Sequence, residues 1–403
     1  MCLGKSIGNG CPAMHVLFTT PPTPGHVYPT LPLVENLVDR GHRVTYISGP
    51  SLTSELHLTG ASVVDLGWEP DTTALAATGF TAETLSADLR AFLAAARTLT
   101  PHLLDVLAAD PPDVVCADSV PLGELLAGIF EAPIVSLVPT LATNTAFTPA
   151  ELIDGFTPNH PGMGRYFGEL TDWFTSYGQP VPNGHDIDST PASPSLVFVP
   201  REFQIAADTF DDSFHFIGPS VPHRARRTPP WQPPPSDAPV LLVSLGTAFN
   251  NRPDFFATCA DVFADSAFHV VIALGNHIDP AELGTLPPNV EVHRQVPQLA
   301  VLRHVAAFIT HAGMGSVMEA LYHQVPTVAV PQVREQSVNA GRIDQLGLGA
   351  RIASPTPGYL RDVTERIAAN LDIRANLAAM KNAIDQAGGA VSGADVIEAA
   401  RTR

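Results

Sequence analysis

Short apolar, mostly β-branched runs alternate with segments of helical periodicity along most of the chain. HVLFTT (15–20) is followed by TLPLVENLVDRG (30–41), whose apolar positions line one helical face and whose Gly41 stands where a helix end favours a left-handed residue. RVTYIS (43–48) and, after a further helix-like stretch, SVVDL (62–66) complete a βαβαβ opening. LRAFLAAARTLTPHLLDVLAAD (89–110) predicts one long helix or a helix pair. DVVCAD (113–118) and APIVSLVP (132–139) are apolar enough to be strands covered on both faces.

The pattern breaks after residue 216. HRARRTPPWQPPPSDAP (223–239) is dense in proline and basic residues and fits neither helix nor central strand. Alternation then restarts with PVLLVSLG (239–246), HVVIALG (269–275), VEVHRQ (290–295), AAFIT (306–310) and PTVAVP (326–331). Short loops and right-handed crossovers turn this into two Rossmann-like, doubly wound α/β domains, each with its own parallel sheet, facing one central cleft. The expected boundaries are a disordered leader over 1–13, a first domain over 14–218, a linker over 219–238, a second domain over 239–385 and a terminal helix over 386–403.

Composition narrows the functions open to such a chain. Its 403 residues, 45% apolar and 15% charged, suit two compact domains, and a net charge of −18 argues against nucleic-acid or anionic-membrane partners. Four cysteines (Cys2, Cys11, Cys116, Cys259) show neither a CxxC pair nor metal spacing, which fits a reducing cytoplasm. No apolar run approaches the roughly 20 residues of a spanning helix, and MCLGKSIGNGCPA lacks the order of a secretory signal.

Special residues concentrate in FITHAGMGSVMEAL (308–321), where a strand ending at Thr310 turns through HAGMG into a helix starting near Ser316. Gly313 and Gly315 let backbone approach a ligand, and the helix start offers N–H groups to an anion. Met318 stands where a dinucleotide fingerprint needs Gly or Ala, and no phosphate-binding GxxxxGK[ST] loop occurs. A plain glycine turn with His311 capping a helix and Ser316 as N-cap would read the same. VPQ (296–298) and PQVREQSVNA (331–340), however, follow the flanking strands, so three adjacent strand ends are expected to point polar groups into one crevice.

VPQLAVL, FITHAGMGSVMEAL and VPTVAVPQVREQSVNA together resemble the nucleotide-sugar signature of family 1 GT-B glycosyltransferases, particularly bacterial enzymes that glycosylate macrolides, enediynes and other polyketides. The resemblance implies that Val296 and Gln298 contact the nucleobase and Glu319 the ribose hydroxyls. His311, Gly315 and Ser316 would bind the pyrophosphate with Gly313 beside them, Ser244 and Thr247 would add phosphate contacts, and Glu335 and Gln336 would hold the sugar hydroxyls. It also implies that the terminal helix crosses back to the first domain.

In TTPPTPGHVYPTLP (19–32) His26 follows the first strand, and Asp118 ends a later one. Such an Asp could fix the imidazole tautomer and raise its basicity. A His/Asp dyad of this kind deprotonates the acceptor in the resembled family. Pro22, Thr23 and Pro24 replace the Gly-rich loop common there.

Asp186 and Asp188 form a D-x-D, but in NGHDIDSTPAS, with no strand before it, they read as a solvated loop. HExxH and GxSxG are absent. The expectation is therefore an inverting, metal-independent hexosyltransferase without a cofactor, using a dTDP- or UDP-sugar, a deoxysugar in particular, on a large hydrophobic acceptor. The competing readings are an epimerase of the same fold and a non-catalytic nucleotide-sugar-binding protein, and a homodimer stays open. Trp68, Phe80, Phe147, Phe156, Tyr166, Phe167, Trp173 and Phe174 are either acceptor-site walls or ordinary packing.

Overall fold

The computed structural model describes residues 13–71, 81–118, 121–153, 160–181, 193–221, 228–235, 237–247 and 250–401. Among these residues the first sheet contains β1 (His15–Thr19), β2 (Arg43–Ser48), β3 (Ser62–Asp65), β4 (Val114–Ala117), β5 (Ile134–Val138), β6 (Ser195–Val197) and β7 (Phe214–Phe216). The second contains β8 (Val240–Ser244), β9 (His269–Ala273), β10 (Val290–His293), β11 (Val305–Thr310), β12 (Thr327–Ala329) and β13 (Gly349–Arg351). The orders are β3-β2-β1-β4-β5-β6-β7 and β10-β9-β8-β11-β12-β13, and neighbouring strands run parallel. This is the expected α/β architecture of two doubly wound sheets.

Every side chain of β1 is buried, and its alternation sorts two layers. Val16 and Phe18 pack toward the helix Leu31–Asp39, whereas Leu17 packs with Phe92, Leu122 and Trp173 on the other face. The expected helix or helix pair is one helix, Ala82–Ala108, with Pro101 inside it. It begins in a reciprocal capping box between Thr81 and Thr84. Strands β6, β7, β12 and β13 have three residues each, too few for a period to register, and β12 lies in the longer apolar run PTVAVP.

Phe147, Tyr166, Trp173 and Phe174 are core residues, at 7% exposure or less, so they pack the fold; Trp68 and Phe167 are half-buried. Phe80 and Phe156, like Asp186 and Asp188, lie outside the described residues. Among the described residues no helix is long and apolar enough to cross a membrane.

The last helix, Gly389–Ala400, lies on Leu31–Asp39 of the first domain. Ala390, Ala394, Ile397 and Ala400 share one apolar cluster with Val16, Phe18 and Leu33, placing them on one face at the i, i+4, i+7 spacing. The rim is ionic: Arg40 meets Asp395 at 2.7 Å and Glu398 at 3.1 Å, and the buried His42 meets Glu398 at 2.9 Å. Asp395 is exposed, so its pair with Arg40 contributes little, and the apolar seam should hold the helix. Ile397→Ala is expected to cost about 3 kcal/mol in urea unfolding. A loss below about 1 kcal/mol would show that the ionic rim holds it instead.

Candidate active site

Strand β1 lies between β2 and β4, so the order of the first sheet reverses beside it. At such a point neighbouring connections leave on opposite faces and the strand ends stay open. His26 follows β1, and Asp118 follows β4. The Asp118 N–H donates to the Thr19 carbonyl at 3.0 Å, which ties the two ends together. Prolines shape the histidine loop: Thr23 is extended, Pro24 occupies the first helical position, and Pro24–Val27 form one short helical turn.

His26 Nδ1 and Asp118 Oδ2 are 2.6 Å apart, with Asp118 3% exposed and the imidazole 39% exposed. A carboxylate only accepts, so Nδ1 carries the proton and Nε2 keeps a lone pair. Burial alone would lower the imidazole pKa. The charge and hydrogen bond of Asp118 outweigh it, Glu335 adds attraction, and the pKa lies above the ordinary histidine value.

The second sheet reverses between β8 and β11. The half-buried His311 ring lies between two glycines there: a Cβ on Gly246 would come 2.6 Å from the ring, and one on Gly313 closer still. Asn250 fixes Gly246 by donating to its carbonyl at 2.6 Å. Burial drives the His311 pKa down to about 4, against an opposing hydrogen bond with the Ser244 backbone, so the imidazole is neutral at neutral pH.

Ala312 is left-handed, at φ 63°, a conformation costing an L-residue about 1–2 kcal/mol. Thr310 Oγ1 accepts from its N–H at 3.2 Å, and Asn339 donates to its carbonyl at 3.0 Å, holding the turn.

The helix after this turn is Met314–Tyr322, with Gly313 as N-cap, no capping side chain and no acid in its first turn. Its first N–H groups lack intrahelical acceptors and carry the positive end of the helix dipole. Ser316 is therefore the third helical residue, not an N-cap, and its hydroxyl accepts from Gln298 at 3.2 Å. A Cβ on Gly315 would meet nothing within 4 Å, in contrast to Gly313.

Strands β10 and β11 are not neighbours, which corrects the expectation of three adjacent strand ends: β9 and β8 lie between them, and only β11 and β12 adjoin. Gln298 nonetheless reaches the turn, donating to Glu319 Oε2 at 2.7 Å; Glu319 is buried. Val296 and Trp231 of the Pro-rich segment each pack on the same small apolar cluster. Ser244 is buried and accepts from the Gly246 N–H at 3.3 Å, beneath His311, while Thr247 is exposed at the rim.

Glu335 accepts from Thr140 Oγ1 of the first domain at 3.0 Å and from Asn339 at 3.3 Å. Gln336 is buried, and its Oε1 accepts from the Gln332 N–H at 2.8 Å. Arg342 donates to the carbonyls of Glu202, Phe203 and Gln204, three further hydrogen bonds between the domains. Thr140, Asn250, Asn339 and Gly246 carry no sequence motif of their own; Gly246 and Asn339 merely stand inside stretches already notable, SLG and QSVNA.

The arrangement sets a basic imidazole at one switch point, with an anion-accepting helix start and buried hydrogen-bonding groups at the other. The profile of UDP-glucoronosyl and UDP-glucosyl transferases matches residues 232–356, the half that holds the second site. The NDP-glycosyltransferase YjiC of Bacillus licheniformis is 35% identical, over 96% of this chain and 97% of its own. The chain belongs to this glycosyltransferase family.

The oleandomycin glycosyltransferase of Streptomyces antibioticus is 35% identical, over 93% of this chain and 88% of its own. The calicheamicin glycosyltransferase CalG4 superposes with a TM-score of 0.79 at 36% identity, covering 97% of this chain and 99% of its own. The two facing sheets are thus a GT-B fold, and the chain is a glycosyltransferase of the natural-product antibiotic type.

For this glycosyltransferase the two glycines of the turn should respond differently. Gly315→Ala fills open space on a helix and should stabilise the ligand-free enzyme by about 0.5–1 kcal/mol. Calorimetry should show dTDP or UDP bound about tenfold more weakly, a loss of about 1.4 kcal/mol. Unchanged affinity would place the diphosphate elsewhere.

Proposed function

We propose that the enzyme transfers a sugar, with inversion and without a metal, from a dTDP- or UDP-sugar to a hydroxyl of a large apolar natural product such as a polyketide, macrolide or enediyne. The observation that carries this reading is the 2.6 Å bond between His26 and Asp118 in the same cleft as the helix start after His311. The likeness to the oleandomycin and calicheamicin enzymes supports the acceptor class. A deoxysugar donor would accord with such acceptors.

His26 Nε2 takes the acceptor proton as the acceptor oxygen bonds to the anomeric carbon. The bond from that carbon to the diphosphate oxygen breaks on the opposite face, and the nucleoside diphosphate leaves with the electron pair. Its growing charge is met by His311, by the Ser316 hydroxyl and by the first N–H groups of the helix, so no metal is needed for it. Val296 and Gln298 bound the nucleobase, Glu319 the ribose, Ser244 and Thr247 the phosphates, and Glu335 and Gln336 the sugar hydroxyls. The part-buried Gln298–Glu319 bond opens, or is shared, when the nucleoside arrives.

His311→Ala should lower turnover by about a hundredfold, and near-normal turnover would remove His311 from the leaving-group site. Donor incubated alone should give no epimer; an epimer would turn the reading into the rival activity.

The reacting form of His26 is neutral, so kcat/KM should fall on the acid side below a pKa raised above that of an ordinary histidine. Asp118→Asn removes the attraction and leaves the burial, which moves that limb to lower pH and leaves a weaker base with a reduced plateau. An acid limb unmoved by Asp118→Asn would exclude His26 as the base.

A further inference from the structure

Beneath the histidine loop lie three buried hydroxyls that none of the roles above uses. Tyr46 on β2 is fully buried, and its ring stacks on Phe18 of β1 at 5.5 Å. Its hydroxyl is 3.1 Å from Thr20 Oγ1 and 2.9 Å from Thr30 Oγ1, and Thr30 Oγ1 donates to the Val27 carbonyl at 2.8 Å. Thr20 and Thr30 are the two ends of the loop that holds His26, and Val27 directly follows it.

Counting protons gives the chain a direction. A threonine hydroxyl carries one hydrogen, and that of Thr30 goes to Val27, so Thr30 can only accept from Tyr46. The phenol proton is then used as well, and Thr20 must donate to the phenol oxygen. Burial pushes the phenol pKa far above its ordinary value, partly opposed by these same hydrogen bonds, so the proton stays in place throughout the working range.

We infer that Tyr46 is a positioning residue for His26: the relay Thr20 to Tyr46 to Thr30 to the Val27 carbonyl clamps both ends of the loop and sets the imidazole at its 2.6 Å distance from Asp118. The inference rests on His26 being the base. The prolines of the loop explain why an external clamp is needed: Pro21, Pro22, Pro24 and Pro29 have no N–H, so the segment cannot tie itself down with a full set of backbone bonds. The alternative is that the relay merely satisfies buried hydroxyls.

The charged groups acting on His26 are Asp118 at the end of β4 and Glu335 on the helix Arg334–Gln345; Tyr46 itself faces Asp118 and Cys116. Tyr46→Phe removes one oxygen and keeps the ring. The pH titration of the labelled His26 imidazole is followed by NMR in the ligand-free enzyme, beside the pH profile of kcat/KM and the affinity for dTDP and UDP.

Loosening the bond to Asp118 should move both the NMR titration and the acid limb to lower pH. It should lower kcat by on the order of tenfold and leave nucleotide affinity unchanged. Thr30→Val should do the same, and Thr30→Ser, which restores the hydroxyl, should return wild-type behaviour. A lower Tm with an unmoved His26 titration would overturn the clamp. His26→Ala separates the two ideas: full transfer by that variant would end the base assignment, whereas the NMR titration in Tyr46→Phe judges the positioning in either case.

Discussion

The position of both sites follows from one constraint, the single handedness of crossovers between parallel strands. Where strand order reverses, at β1/β4 and at β8/β11, the chain leaves on opposite faces and neither connection covers the strand ends. Each sheet therefore has one open point. The first holds His26 and Asp118; the second holds the His311 turn with Ser244 and Gly246. Contacts such as Thr140 to Glu335 join the domains, so the charge of Glu335 reaches His26.

The two histidines show how environment divides one residue type between different tasks. His26 keeps part of its ring in solvent and has a buried carboxylate on Nδ1, which favours the protonated form. His311 is enclosed between glycines, with backbone rather than a carboxylate as partner, and burial holds it neutral. A neutral imidazole has one N–H, which the Ser244 backbone takes, so the ring carries no buried charge in the empty cleft; an anion arriving there would raise its pKa and draw a proton onto the second ring nitrogen, beside the free N–H groups of the helix start. In a chain of net charge −18, such local donors, not the overall field, must hold an anion.

Most of this frame was legible in the sequence because it is local. The strands through β5 and from β8 to β12 lie within apolar runs of sequence that the alternation marks, and His26, Asp118 and His311 each follow one. What was not legible is set by distance in space. Periodicity does not give strand order, which is why Gln298 was expected beside an adjacent strand when two strands intervene. The glycines illustrate the same limit: Gly313 and Gly315 look alike in HAGMGS, yet one leaves room for an imidazole and the other faces open space. Thr140 and Asn339 act across 195 and 27 residues respectively, and although Asn339 stands inside QSVNA, nothing in the sequence gives either one its partner.

The turn after β11 also shows why these supporting residues belong to the site. Ala312 occupies a left-handed conformation without being glycine, and it is held by Thr310 from the strand and Asn339 from the following helix. Relaxing Ala312 would rotate the peptides on both sides of it, and those peptides aim the His311 ring and the first N–H groups of the helix. Asn339 also donates to Glu335, so one amide fixes both the backbone of the His311 turn and the carboxylate that faces His26. The geometry of the His311 turn and of the His26 loop is thus coupled through Asn339 rather than set by two independent loops, and the strain at Ala312 is tolerated because several buried hydrogen bonds depend on that one conformation.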